Sequence, residues 1–140
     1  MCPEKNELST LHYTHMSQKT VLIVEDSPYL ADSLVDMLEL SDYRALVAPT
    51  GKDAVEMALA EEPDLILLDI RLPDFDGYEV FRRLRNTPWG ATAKIVVLTA
   101  SESIENISKN ISLPTEDVLF KPEWSIPRLL EQIEKKLAID

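Results

Sequence analysis

Glycine is scarce in this chain, with three residues in 140 positions, at 51, 77 and 90. None sits in a GxGxxG or GxxxxGKS arrangement, the patterns that let backbone approach a pyrophosphate closely, so dinucleotide binding and P-loop chemistry are excluded. Histidine and cysteine are rarer, and all three lie near the start: Cys2, His12 and His15. A lone cysteine forbids an internal disulfide. The body of the chain is left without the side chains of a histidine-assisted or cysteine hydrolase. His12 and His15, spaced i, i+3, are too few and too poorly held to form a metal site. Basic residues are outnumbered, 14 Lys and Arg against 25 Asp and Glu, for a net charge of −11. That balance argues against nucleic acid or an anionic membrane as a direct partner, because phosphates are contacted mainly by Lys and Arg. It biases association toward basic protein surfaces. No apolar run approaches the roughly 18 residues of a membrane-spanning helix. The first residues lack the apolar centre of a secretion signal, which makes the cytoplasm the expected location.

What is present has the size and composition of one globular domain. Residues 1 to 18 carry neither helical nor strand periodicity and are expected to form a flexible leader, with the domain over 19 to 140. From Lys19 short apolar runs alternate with helical patterns. The runs VLIV (21 to 24), ALVA (45 to 48), LILL (65 to 68), IVVL (95 to 98) and VLF (118 to 120) are too continuous for half-exposed strands. They read as strands covered on both faces, the second as an edge. Helices are expected over Pro28 to Leu40, with Ser27 as N-cap, then Lys52 to Ala60, Gly77 to Arg85, Ser103 to Ile111 and Ser125 to Leu137. Five such alternations predict an α/β domain with right-handed parallel crossovers and a doubly wound sheet.

Four of the runs end on a reactive polar residue: VLIVED on Glu25 and Asp26, LILLD on Asp69, IVVLT on Thr99 and VLFK on Lys121. Parallel strands present their carboxyl ends along one edge of a sheet, so these residues converge. Neighbouring carboxylates repel one another, and a hard divalent cation bound by oxygen ligands, magnesium or manganese, is the usual compensation. A carboxylate such as Asp69 beside that cation can attack phosphorus and form an acyl phosphate, with Lys121 neutralising charge. A Thr99 hydroxyl could bond a phosphoryl oxygen absent before modification. Asp74 and Asp76, in the loop after Asp69, read as turn-forming residues.

In order and spacing, VLIVEDSP, LILLDIRLPDFDGYEV, VVLTAS and FKP resemble the receiver domain of two-component response regulators, across residues 19 to 138. The resemblance implies a flavodoxin-like, five-stranded parallel sheet in the order 2-1-3-4-5 with helices on both faces, as in a stand-alone, chemotaxis-regulator-like protein. By the same resemblance Asp69 is the phosphoacceptor, charged by a histidine kinase or histidine phosphotransfer protein. Glu25, Asp26, Asp69 and the backbone carbonyl of Arg71 hold Mg2+. Thr99 is the switch hydroxyl and Lys121 contacts the phosphate, with a cis bond to Pro122. Arg71 and Ser101 influence the lifetime of the phosphorylated state. Such a module is a signalling protein that catalyses only its own phosphorylation and dephosphorylation, and it acts by binding a downstream protein partner, with a homodimer left open.

Two departures from the family pattern bear on output. Val118 stands where the family has a Tyr or Phe that moves with the threonine, and Phe120 is expected on the other face of the strand, unable to substitute. KNISLPTED replaces the usual glycine-containing turn before the last strand. Trp124 is read either as a partner contact or as packed on the last helix. Two other functions stay open at this point: a phosphorylation-independent interaction domain of the same fold, which Val118 favours, and an aspartyl-phosphate phosphatase. The latter calls for a second acid close after the nucleophile, where this chain has Arg71.

Overall fold

The computed structural model describes residues 18–74, 76–100 and 103–138, so Cys2, His12, His15 and Ser101 lie outside the described residues. The five apolar runs form strands β1 (Thr20–Val24), β2 (Arg44–Ala48), β3 (Leu65–Asp69), β4 (Ile95–Thr99) and β5 (Val118–Phe120). Between and after them run α1 (Pro28–Leu40), α2 (Gly51–Glu61), α3 (Gly77–Arg85), α4 (Ile104–Ile111) and α5 (Ile126–Leu137). All strand pairs are parallel, in the order β2-β1-β3-β4-β5. This is the expected doubly wound order, and β2 is indeed an edge, with only Ala48 fully buried.

The helices begin where short polar side chains can satisfy the first free backbone N–H groups. Ser27 accepts from Leu30 N at 3.4 Å, Thr50 from Asp53 N at 3.1 Å, Asp76 from Glu79 N at 3.1 Å and Ser125 from Arg128 N at 3.3 Å. Pro28 and Pro127 lie in the first turns of α1 and α5, where a missing N–H costs no hydrogen bond.

Strand side chains alternate between faces, and the core divides accordingly. Leu22, Val24, Ile66, Leu68, Ile95, Val97 and Val118 pack with Ala54 and Ala58 of α2, Val80, Phe81 and Leu84 of α3, and Ile107 and Ile111 of α4. On the other face Val21, Ile23, Leu65, Leu67, Val96, Leu98 and Leu119 pack with Leu34 and Leu38 of α1 and Leu129, Ile133 and Leu137 of α5. The central strands are covered on both sides, which is why their sequences are continuously apolar.

The last third departs from expectation in three places. Val118 and Phe120 are two residues apart on β5 and therefore share a face; Phe120 is half-buried and registers with Thr99. Among the described residues no peptide bond is cis, so the bond to Pro122 is trans. Lys121–Glu123 form a single 3-10 turn closed by Trp124 N on Lys121 O at 3.1 Å, and a trans proline suits the second position of such a turn. The segment that replaces a glycine turn works through Ser112, which takes the left-handed conformation (φ 55°) at the end of α4. A 3-10 turn at Thr115–Asp117 then leads into β5. Asp117 is buried there and ion-paired to Lys136 of α5 at 2.7 Å.

Candidate functional site

The carboxyl ends of β1, β3, β4 and β5 bring together the residues that the sequence singles out. Glu25 and Asp69 are nearly inaccessible, at 4% and 5% exposure, whereas Asp26 is exposed. Oxygens of Glu25, Asp26 and Asp69 all lie within 4.8 Å of one another. Lys121 reaches across from β5, its Nζ 3.0 Å from Asp69 Oδ2 and 3.1 Å from Glu25 Oε1. Odd-numbered positions of β1, β3 and β5 point to the α1/α5 side, so Glu25, Asp69 and Lys121 continue one alternation. Thr99 follows Ile95 and Val97 on the opposite parity and approaches from the α2–α4 side.

Backbone donors hold the two buried carboxylates. Ser27 N donates to Glu25 Oε2 at 3.1 Å and Arg71 N to Asp69 Oδ1 at 3.0 Å. Gly77 N donates to Ile70 O at 2.7 Å, which turns the chain sharply after β3. Gly77 is required for space: a Cβ there would stand 2.6 Å from Asp69 O and 2.8 Å from Ile70 Cα.

The electrostatics follow from this packing. Burial raises the Glu25 pKa, and the neighbouring Asp69 charge pushes it further up, against the lowering effect of Lys121 and the Ser27 N–H. Burial alone would lower the Lys121 pKa, but its hydrogen bonds and charge interactions with Asp69 and Glu25 prevail and raise it. An oxygen-only donor set of two buried acids and one exposed acid is what a hard divalent cation takes, so the residues present fit Mg2+. Thr99 is fully buried, and its Oγ1 has no hydrogen-bond partner among the described residues. A buried hydroxyl left unpaired is costly and marks a place for an acceptor.

Sequence reasoning placed Glu25, Asp26, Asp69, Thr99 and Lys121 at one edge, and all five are there; Arg71, named by the family resemblance, follows β3 with its N–H on Asp69 Oδ1. The same reasoning missed Asp74. This residue accepts from Gly51 N at 2.8 Å and Lys52 N at 2.9 Å, capping a helix that begins 23 residues earlier. Asp76, read as a turn-forming residue, is the N-cap of α3. Trp124 packs against the α1/α5 core, with the Arg128 guanidinium 4.3 Å from its ring centre.

A parallel sheet in this order, with three acids, a buried hydroxyl and an ammonium at its carboxyl edge, is the arrangement of a signalling receiver domain. Residues 21–134 match the family model described as "Response regulator receiver domain", and the chain belongs to that family. It is 35% identical over 135 residues to a Vibrio cholerae protein named "Probable cyclic di-GMP phosphodiesterase", covering 94% of this chain and 30% of that protein. It is 32% identical over 117 residues to the response regulator MprA of Mycolicibacterium vanbaalenii, covering 84% of this chain and 49% of that one. The chain thus spans half or less of the length of these two relatives. The CheY-like response regulator receiver domain protein of Methanospirillum hungatei superposes with a TM-score of 0.76 at 30% identity, covering 87% of this chain and 95% of that structure. Among the described residues no helix is long and apolar enough to cross a membrane.

Proposed function

We propose that the chain is a phosphorylation-switched receiver in which Asp69 accepts a phosphoryl group from the phosphohistidine of a histidine kinase or histidine phosphotransfer protein. What carries this reading is the convergence of Glu25, Asp26 and Asp69 with Lys121 at one sheet edge. The bond formed joins an Asp69 carboxylate oxygen to phosphorus; the bond broken is P–N, whose electron pair returns to the imidazole. Glu25, Asp26, Asp69 and the Arg71 carbonyl would hold Mg2+, which when bound would supply positive charge to the transfer. Lys121, already bonded to Asp69, supplies a second positive charge and follows the new phosphoryl oxygens. The unpartnered Thr99 hydroxyl then gains an acceptor, which gives modification a means of favouring one of two conformations.

The output is altered affinity for a downstream protein, and the only chemistry is the domain's own phosphorylation and dephosphorylation. We assign the receiver to residues 19–140, residues 1–18 to a leader, and the whole to the cytoplasm, where its phosphodonors act. Intact mass after incubation with acetyl phosphate and magnesium tests the proposal. A magnesium-dependent phosphate adduct, absent from Asp69→Ala, is expected. A folded wild-type protein that acquires none would leave a phosphorylation-independent binding domain.

A further inference from the structure

The Asp74 carboxylate joins two loops that the phosphoacceptor reading treats separately. One is the β2–α2 connection. It is fixed to the acidic edge because Glu25 N donates to Ala48 O at 3.1 Å, and three residues later it opens α2. The other is the β3–α3 loop, whose Arg71 N–H holds Asp69 Oδ1 at 3.0 Å. Asp74 spans the gap, taking Gly51 N on one oxygen and Lys52 N on the other, at 2.8 and 2.9 Å. Helix α2 already has a cap in Thr50, which accepts from Asp53 N, so the first three N–H groups are shared between a local residue and this distant one. Charge-assisted bonds from a carboxylate to helix N-terminal amides are stronger than neutral ones, and the positive end of the helix favours the anion.

We infer that Asp74 is a positioning residue for the phosphorylation site, clamping the Arg71 loop to the α2 N-terminus and so holding Asp69 and the Arg71 backbone at the correct distance from Glu25 and Asp26. This rests on the receiver reading above. The loop has fixed points on either side of Asp74: the Asp69–Arg71 and Ile70–Gly77 bonds near β3, and the Asp76 cap at α3. Within the intervening stretch Leu72 packs against the core on the α2–α4 side, and Asp74 adds a polar tie to the α2 N-terminus. Without it, the loop can move relative to Glu25 while the three acids keep their charges.

The test compares Asp74→Ala, Asp74→Asn and Thr50→Ala with the wild-type chain. Magnesium affinity is read by titration calorimetry, and the rate with acetyl phosphate is read as a function of magnesium concentration. Thr50→Ala removes a cap from the same helix without touching the loop, so it controls for loss of helix stability. Asp74→Ala is expected to weaken magnesium binding roughly 10-fold, the low end for residues that orient metal ligands. Its maximal rate at saturating magnesium should stay near wild type. Asp74→Asn, which keeps one acceptor oxygen, should fall between the two; it decides the matter if the alanine variant does not fold. Equal shifts in Thr50→Ala and Asp74→Ala, or unchanged magnesium affinity in the Asp74 variants, would overturn the inference. A wild-type protein that neither binds magnesium nor accepts phosphate would instead sink the receiver reading.

Discussion

Lys121 Nζ lies 3.0 Å from Asp69 Oδ2, although the two residues are 52 positions apart in the chain. The same ammonium touches Glu25, so one cation serves two buried acids. Lys121→Met leaves those carboxylates side by side without it. In metal-free buffer the variant should lose about 2 kcal/mol, the range for hydrogen bonds to charged groups, in urea unfolding. Added magnesium should restore more stability to the variant than it adds to wild type.

Glu25 supplies a pH dependence. Its folded pKa is raised above 4.5, first by burial and then by Asp69, so the folded state holds this proton more tightly than the unfolded chain. Stability from this group is present below 4.5 and is lost as pH rises from there through the folded pKa. Metal-free Glu25→Gln should therefore show a flatter profile above pH 4.5 and exceed wild type in urea midpoint at neutral pH. A variant profile parallel to wild type would contradict the assignment.

Gly77 gives a steric prediction. A methyl group here meets backbone atoms of Asp69 and Ile70 at 2.6 and 2.8 Å, closer than the Ile70 side chain at 3.2 Å, so relief requires shifting the end of β3. Gly77→Ala should lower stability by about 2 kcal/mol, as overpacking does, and should slow phosphorylation by acetyl phosphate because Asp69 moves. Thermal unfolding and intact mass measure the two effects separately.

Asp117 and Lys136 form the other consequential ion pair, away from the site. Asp117 is 3% exposed, and its Oδ1 lacks a partner among the described residues, so its carboxylate relies on Lys136 at 2.7 Å. Lys136→Met should cost about 3 kcal/mol, as removal of one partner of a buried pair does. Adding Asp117→Asn to that variant should recover part of the loss, and the double-mutant cycle gives the coupling energy.

The sheet and most of the site were legible in the sequence for one reason. Strands buried on both faces must be continuously apolar, so each strand end is marked by the first polar residue, and those residues are Glu25, Asp69, Thr99 and Lys121. Asp74 was not legible because its partners are backbone N–H groups, which carry no sequence signature, on a helix that precedes it. The 3-10 turn that buries Asp117 likewise lacks a periodic pattern. Phe120 was misplaced by a miscounted alternation. The trans bond at Pro122 reflects the local turn at Lys121–Glu123, which the family pattern alone does not fix.

The distance along the chain between the acids and their ammonium has a consequence during synthesis. Glu25, Asp26 and Asp69 leave the ribosome well before Lys121, and β3 can pair with β1 while β5 is still inside the exit tunnel. In that interval the nascent sheet carries a concentrated negative edge that Lys121 does not yet balance. The order in which residues emerge thus leaves the acidic edge without its ammonium until β5 joins the sheet.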